Sequence, residues 1–529
     1  MKTICLSARK LVLVAAALAL ASCDSGDDGN LLFNIIPTEG YSDVFLDAAT
    51  FAQRCELPRT GNNPSTGQPY SDIQGSTLDE NNFLRSYSND TYLWYNEITD
   101  RDPALYDDPL EYFDLLKTTA RTPSGQDKDK FHFTYDSNEW FQLSQSGVSA
   151  GYGAQWILLS TTPPRKVLVA YTEPGTPATT SGLARGAEVL QVDGVDINSD
   201  SQSDTDTINA GLFPAGTGES HTFLVRDRGT FITRSITMTS ANITSAPVQN
   251  VNVITTGTGR VGYLVFNDHI ATAEEALVDA ITQLKSGAGI DDLVLDLRYN
   301  GGGFLAIASQ LAYMIAGNVP TAGRAFETLQ FNDKHPITNP VTGSPLSPTP
   351  FYDMTLGFGS LLPNQALPTL DLPRVFIITG SGTCSASEAI INGLLGVDVE
   401  VIQIGSTTCG KPYGFYPTDN CGTTYFTIQF RGVNQKDFGD YSDGFSATNQ
   451  PDPGTLVKGC SVADDFTALL GDQTEGRLAA TLAYRNTQNC PAASGFAQPG
   501  LAGRGTSLSA TDGLLPKSPW LSNRIMHLP

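Results

Sequence analysis

The chain has 529 residues, a formal net charge of −23 and a pI near 4.5. That length is enough for two or three domains. So acidic a chain repels polynucleotides and anionic lipid surfaces, which excludes nucleic acid as a partner class. With no CxxC or HxxxH spacing, it also carries no metal-site pattern.

Residues 1–22 read as a targeting segment. Lys2, Arg9 and Lys10 precede the apolar run 11–20, which is too short to span a bilayer as a mature helix. Leu20-Ala-Ser-Cys23 follows, and a leucine three residues before a cysteine resembles a bacterial lipoprotein signal. The resemblance implies cleavage before Cys23 and lipidation of that residue. The chain would then be anchored in the bacterial cell envelope facing the periplasm, on a membrane not specified. Asp24 resembles an inner-membrane retention signal in some bacteria, and an ordinary secreted protein cut near Ser22 is the plain alternative. Residues 23–43 are acidic and Gly-rich, a flexible tether.

Beyond Cys23 six cysteines remain: Cys55, Cys384, Cys409, Cys421, Cys460 and Cys490. In an exported chain they are consistent with disulfides, and six cysteines allow about fifteen pairings. Cys409 and Cys421 flank an expected hairpin through Gly414 and Asn420, while Cys460 and Cys490 suit closure of the C-terminal end.

Residues 44–144 are expected to form a helical N-terminal domain. Phe83, Leu84, Tyr87, Leu93 and Trp94, then Leu110, Phe113 and Leu116, fall at helical spacing, interrupted by Pro103 and Pro109. Phe131, Phe133 and Trp140 continue the apolar pattern, and these aromatics read as core.

In residues 145–245, Gly151-Tyr-Gly-Ala154 precedes an alternating strand at 166–171. Ser181-Gly-Leu-Ala-Arg-Gly186 and Val192-Asp-Gly194 follow. Together they resemble a PDZ domain. In that resemblance Gly151, Tyr152, Gly153 and Ala154 form the loop whose amides bind a peptide's C-terminal carboxylate, and the peptide adds a strand to the sheet edge. Gly147-Val-Ser-Ala-Gly151 fits a G-x-S-x-G elbow, but the preceding Gln142-Leu-Ser-Gln-Ser146 is no buried strand.

From residue 246 to 490 strand and helix alternate: strand 261–266, amphipathic helix 273–284, strand 293–297, helix 305–315. This argues an α/β layer domain. The Pro/Asn/Gly-rich stretch 323–369 reads as a substrate-facing insertion. The apolar run 374–380 then leads into Thr383-Cys-Ser-Ala-Ser-Glu388 and a short helix. Strand 400–405 leads into Thr408-Cys-Gly-Lys411. A serine on a strand-to-helix turn faces free backbone amides and the helix dipole, which favour developing negative charge. A desolvated lysine beside it can lose its proton near neutral pH and act as its base. The five histidines stand in no triad context and read as surface or satisfied polar residues, which favours a lysine base. Ser387 is the rival nucleophile, and Cys384 a lesser one. Residues 491–529 are a Gly/Ser/Ala-rich, low-complexity tail.

Ser385-Ala-Ser-Glu388 followed about 25 residues later by Gly410-Lys411 resembles the tail-specific (C-terminal processing) serine peptidases. That resemblance implies Ser385 as nucleophile and Lys411 as general base. Leu295-Asp-Leu-Arg-Tyr-Asn-Gly-Gly-Gly303 looks like the family's strand and glycine turn, implying Gly302 and Ala386 as the oxyanion-binding amides. The implied fold is mixed α/β and β, multidomain: a helical N-terminal domain, a PDZ-like domain and a crotonase-like ββα-spiral catalytic domain. The implied function is a serine endopeptidase that binds protein C-termini and needs no cofactor. The family usually has a glutamine four residues after the lysine, where this chain has Phe415, so the role of orienting the amine stays unassigned. Phe415 is the one support for an alternative, a non-catalytic PDZ-type binding protein on a peptidase scaffold. An esterase or acyl transferase would need the dyad but not the PDZ-like module.

Overall fold

The buried runs of the second half assemble one six-stranded sheet. Its order is Val248–Thr256, Gly259–Phe266, Asp292–Asp296, Arg374–Thr379, Glu400–Gly405 and Gly459–Ser461. The first pair is antiparallel and every later pair parallel. Parallel neighbours need crossovers: helices Ala273–Lys285, Leu305–Ala316 and Ala386–Gly396 lie in the first three, and a run of short strands in residues 413–457 makes the last. Alternate residues along each strand feed opposite faces. Leu293, Leu295, Val375 and Ile377 join these helices in one core. Val294, Phe376, Ile378 and Ile404 pack with Leu478 and Tyr484 of helix Gly476–Thr487 in another. Burial on both faces explains why the strands read as unbroken apolar runs.

The structure, a computed structural model, describes residues 44–64, 66–159, 163–199, 201–449, 454–491 and 524–525. The expected signal 1–22, Cys23, the tether 23–43 and most of the tail 491–529 lie outside the described residues. No helix among the described residues is long and apolar enough to cross a membrane.

The crotonase-like ββα spiral is corrected. Each crossover between parallel strands of the central sheet adds one strand, not two, so the chain winds β-α-β across a single sheet. The excursions between its strands, together with Arg524–Ile525 near the C-terminus, build a second sheet in the order Gly303–Phe304, Arg524–Ile525, Tyr413–Phe415, Phe430–Val433, Ala325–Gln330 and Thr349–Pro350. The architecture is mixed α/β.

In the N-terminal part, helix Thr77–Thr91 starts at a capping box in which Ser76 and Asp79 bond reciprocally. Its Phe83, Leu84 and Tyr87 pack with Tyr112, Phe113, Leu116 and also Tyr425. Phe133–Asp136 is a strand pairing antiparallel with Thr423–Phe426, and Cys55 is bridged to Cys421. The helical segments thus share their core and a covalent tie with the second half of the chain.

Between these parts five antiparallel strands run in the order Thr233–Thr239, Ser220–Arg226, Glu188–Val192, Val167–Thr172 and Ala154–Leu158. Tyr152, Trp156, Val169, Val189, Phe223 and Val225 give this sheet its own core. Ala154–Leu158 ends the strand order.

Candidate active site

Two turns leave neighbouring strands at the same end of the central sheet. Strands Arg374–Thr379 and Glu400–Gly405 are paired in register up to Thr379 opposite Gly405. Ser385 follows the first strand and Lys411 the second. Beyond the ladder, the Cys409 amide donates to the Thr383 carbonyl at 3.0 Å. A Cys384–Cys409 disulfide also joins the turns, with Cα atoms 5.1 Å apart.

Glu388, the third residue of helix Ala386–Gly396, completes the junction. Its Oε2 accepts the amide of Ser385 at 2.9 Å and that of Lys411 at 2.8 Å. Its Oε1 accepts the Gly410 amide at 2.9 Å and the Thr408 hydroxyl. One carboxylate oxygen thus fixes the backbone of both expected dyad residues. Glu388 is fully buried, and burial pushes its carboxyl upward while these donors pull against the shift. Its grip on residues 20 and more positions away carries no local sequence signal.

Ser385 sits at φ +61°, a left-handed conformation unusual for a residue with a side chain. Its hydroxyl is buried and has no hydrogen-bond partner among the described residues. The rival Ser387 is engaged, its hydroxyl donating to the Asn300 carbonyl at 3.1 Å. The sulfur of Cys384 lies in the disulfide, which removes it as a thiol nucleophile.

Lys411 is 0 % exposed. Its Nζ stands 4.5 Å from the Phe131 ring centroid and 4.7 Å from that of Phe415. Burial holds the amine well below the ordinary lysine range, with Asp129 and Glu388 only partly opposing that shift. The position where a glutamine was expected therefore presents an aromatic wall. Phe131, some 280 residues upstream, forms another; sequence reading placed it in the core without connecting it to the lysine.

The glycine turn lies against the serine. At Gly302 (φ +104°) a Cβ would come within 2.9 Å of the Ser385 Cβ and 3.0 Å of the Ala386 nitrogen, so only glycine fits. The Gly302 amide donates to Asn300 Oδ1 at 2.9 Å, so it is engaged within its own turn. Asn300 Oδ1 also receives His269 Nδ1 at 3.0 Å, and the His269 amide donates to the Gly302 carbonyl at 3.1 Å. Burial pushes His269 down to about 3, which keeps it neutral. This histidine, read from sequence as surface or satisfied polar, is a buried brace of the glycine turn.

The Gly151–Ala154 loop lies elsewhere, at the start of the edge strand Ala154–Leu158. The carbonyls of Tyr152 and Gly153 are taken by the amides of Ala178 (2.9 Å) and Glu173 (2.7 Å). Gly153 (φ +78°) presses on Thr176, where a Cβ would come within 2.5 Å. Among the described residues the disulfides are Cys55–Cys421, Cys384–Cys409 and Cys460–Cys490. The last is the closure expected from sequence; Cys409 and Cys421 flank the hairpin without pairing to each other.

Residues 260–415 match the model of Peptidase family S41. Over 277 residues the chain is 27 % identical to a carboxyl-terminal-processing protease of Picosynechococcus sp., covering 51 % of this chain and 56 % of that relative. It thus spans little more than half of the relative's length. An S41 protease structure from Bacteroides fragilis aligns with a TM-score of 0.59 at 21 % identity, covering 79 % of this chain and 98 % of the other. A photosystem II D1 C-terminal processing protease aligns at 0.43 and 17 % identity, over 77 % and 100 %. The Bacteroides alignment shows that the chain shares the mixed α/β, multidomain fold of that structure, which replaces the expected ββα spiral. The matched stretch encloses Gly302, Ser385, Ala386 and Lys411, and over residues 260–415 the chain is similar to peptidase family S41.

Proposed function

We propose that this chain is a tail-specific serine endopeptidase, in which Ser385 is the nucleophile and Lys411 the general base. The observation that carries this reading is Glu388 Oε2, one buried oxygen holding the amides of both residues. The downward-shifted, fully buried Lys411 supplies the matching chemistry. Neutral Lys411 takes the Ser385 hydroxyl proton as Oγ attacks the scissile carbonyl. The Ala386 amide and the Gly302 amide, once released from Asn300, receive the oxyanion. Lys411 then protonates the leaving amine, and water, deprotonated by Lys411, releases the acyl-enzyme.

In the same proposal residues 145–245 are a PDZ-like module. Gly151, Tyr152, Gly153 and Ala154 grip a substrate's terminal carboxylate, and the edge strand Ala154–Leu158 takes the peptide as an added strand. Residues 44–144 form the N-terminal domain and 246–490 the peptidase domain. Cys23 carries the lipid that holds the chain at the periplasmic face of a membrane.

The engaged Gly302 amide favours one second reading, a binding protein on a peptidase scaffold. A fluorophosphonate probe read by intact mass separates the two. Labelling of the wild-type chain and of Ser387→Ala, but not of Ser385→Ala, is expected. No labelling of the wild type supports the scaffold, and labelling of Ser385→Ala overturns the nucleophile.

A further inference from the structure

The disulfide Cys384–Cys409 joins the residue just before Ser385 to the residue two before Lys411. It lies where the ladder between the two parent strands has ended, beyond Thr379 and Gly405. The bond from Cys409 N to Thr383 O and the Glu388 carboxylate also tie the turns together at this level. The Cys409 sulfur also lies 3.4 Å from Glu388 Oε2, the oxygen that holds both dyad amides. The other disulfides, Cys55–Cys421 and Cys460–Cys490, have no member in either turn.

We infer that Cys384 and Cys409 are positioning residues whose disulfide sets the Ser385 turn against the Lys411 turn, so that dithiol reductants lower the activity reversibly. This rests on the Ser–Lys reading. Cys384 is 1 % exposed and Cys409 half-buried, so Cys409 is the sulfur open to attack. A dithiol's thiolate attacks the Cys409 sulfur, the S–S bond breaks, and its electron pair leaves on the Cys384 sulfur, which takes a proton. The second reductant thiol then displaces Cys409 as a thiol and closes the reductant's own disulfide. Two electrons and two protons pass to the protein.

Reduction acts on geometry in two ways. It removes the covalent limit on separation of the turns. It also gives Cys409 an S–H beside Glu388 Oε2, where it competes with the amides of Ser385 and Lys411. A misplacement of about 1 Å at a reacting group costs on the order of 100-fold in rate. Substrate contacts elsewhere are untouched, so the loss belongs in kcat.

The test compares the full chain with Cys384→Ala/Cys409→Ala and, as control, Cys55→Ala/Cys421→Ala. Peptide kcat, KM and pH profile are measured with and without dithiothreitol, beside hydrogen exchange of residues 383–388 and 408–411. Expected are a kcat loss of about 10- to 100-fold at near-constant KM in the first variant, with its acid limb displaced and no further response to reductant. The wild type and the control should lose activity on reduction and regain it on reoxidation, with faster exchange confined to the two segments. Unchanged kcat and pH profile in Cys384→Ala/Cys409→Ala would overturn the inference and leave the peptidase reading intact. If the wild type hydrolyses nothing, the peptidase reading falls, and exchange decides alone. Equal protection of both segments in the oxidised and reduced wild type then overturns the cross-link's role. Should the first variant fail to fold, the reversible exchange and activity response of the wild type still decides.

Discussion

At Lys411 two opposing effects meet, and their sizes decide the protonation state. The rings of Phe131 and Phe415 near Nζ favour an ammonium, by about 2 kcal/mol or more when desolvated. Full burial disfavours it by stripping the amine of its hydration, an effect that Asp129 and Glu388 only partly oppose. Desolvation wins, in agreement with the strong downward shift. If Lys411 is the proposed base it acts when neutral, so kcat/KM for peptide hydrolysis should climb with pH along one limb whose midpoint lies well below the ~10.4 of free lysine. A flat profile between about pH 6 and 10 would count against a lysine base. The same shift has a stability consequence. The unfolded chain protonates this lysine below its ordinary pKa while the folded chain resists, so the native state is penalised in that window. The penalty is absent above the unfolded value, grows as pH falls, and levels off below the folded value. Lys411→Met, of similar shape and no charge, should therefore abolish hydrolysis yet raise Tm by about 2 °C or more at pH 7. That gain should shrink toward pH 10.5, as thermal melts across the range will show. A lower Tm for Lys411→Met at every pH would mean that the lysine contributes favourable native contacts instead.

At the level of elements, helix Ala386–Gly396 carries the serine at its start and the organising carboxylate one turn in. Glu388→Gln keeps the volume but replaces one acceptor oxygen by an NH2 group, so at least one of the amides of Ser385, Gly410 and Lys411 loses its partner. Hydrogen bonds to a charged group contribute about 1.5–3 kcal/mol each, and a buried amide left unpaired costs comparably. The expected result is a kcat reduction of tenfold or more at similar KM, with a lowered Tm; wild-type kcat in a folded Glu388→Gln would remove the carboxylate from the positioning role. The contrast between this carboxylate and the residues it holds explains what could be read in advance. Ser385 and Lys411 stand in short local patterns, and strands such as Arg374–Thr379 are continuous apolar runs, so one stretch of sequence suffices for each. Glu388 acts across about one crossover unit, Phe131 meets Lys411 across half the chain, and strand Phe133–Asp136 exists because a hairpin near residue 423 offers it an edge. None of these partners is encoded in a window. Cys55–Cys421 was illegible for the same reason. The ββα spiral came from resemblance alone, and strand order in a sheet depends on pairings that periodicity does not contain.

Across the whole molecule, a buried polar network connects the antiparallel sheet of residues 154–239 to the glycine turn. Arg185 donates from Nη1 to the Tyr299 hydroxyl and to the Ala170 carbonyl (2.9 Å), and from Nη2 to Asp464 at 2.8 Å. Tyr299 donates to the same Asp464. Arg298 is fully buried and pairs with Asp296, Asp464 and Glu475 at 2.7–2.8 Å. Tyr299 lies three residues before Gly302, so Arg185 bears on the segment whose amide, in the proposed mechanism, is released for the oxyanion. Buried pairs of this kind add little net stability, yet removing one partner costs about 3–5 kcal/mol, which suits a fixed geometric link. If residues 145–245 read substrate tails, capture of a terminal carboxylate can reach the dyad through this link. Two measurements follow at fixed peptide sequence. Peptides ending in an apolar free acid should be cleaved faster than their amidated counterparts, because an amide cannot replace the charge-assisted bonds that a carboxylate accepts. Tyr299→Phe, which deletes only the hydroxyl between Arg185 and Asp464, should shrink that acid-to-amide rate ratio toward one. The ratio, unlike the absolute rate, is insensitive to a general loss of active protein. Equal cleavage of acid and amide by the wild type would end the tail-reading role whatever the dyad does. An undiminished ratio in Tyr299→Phe would show that tail capture is communicated by another route, or not communicated at all and merely raises local substrate concentration.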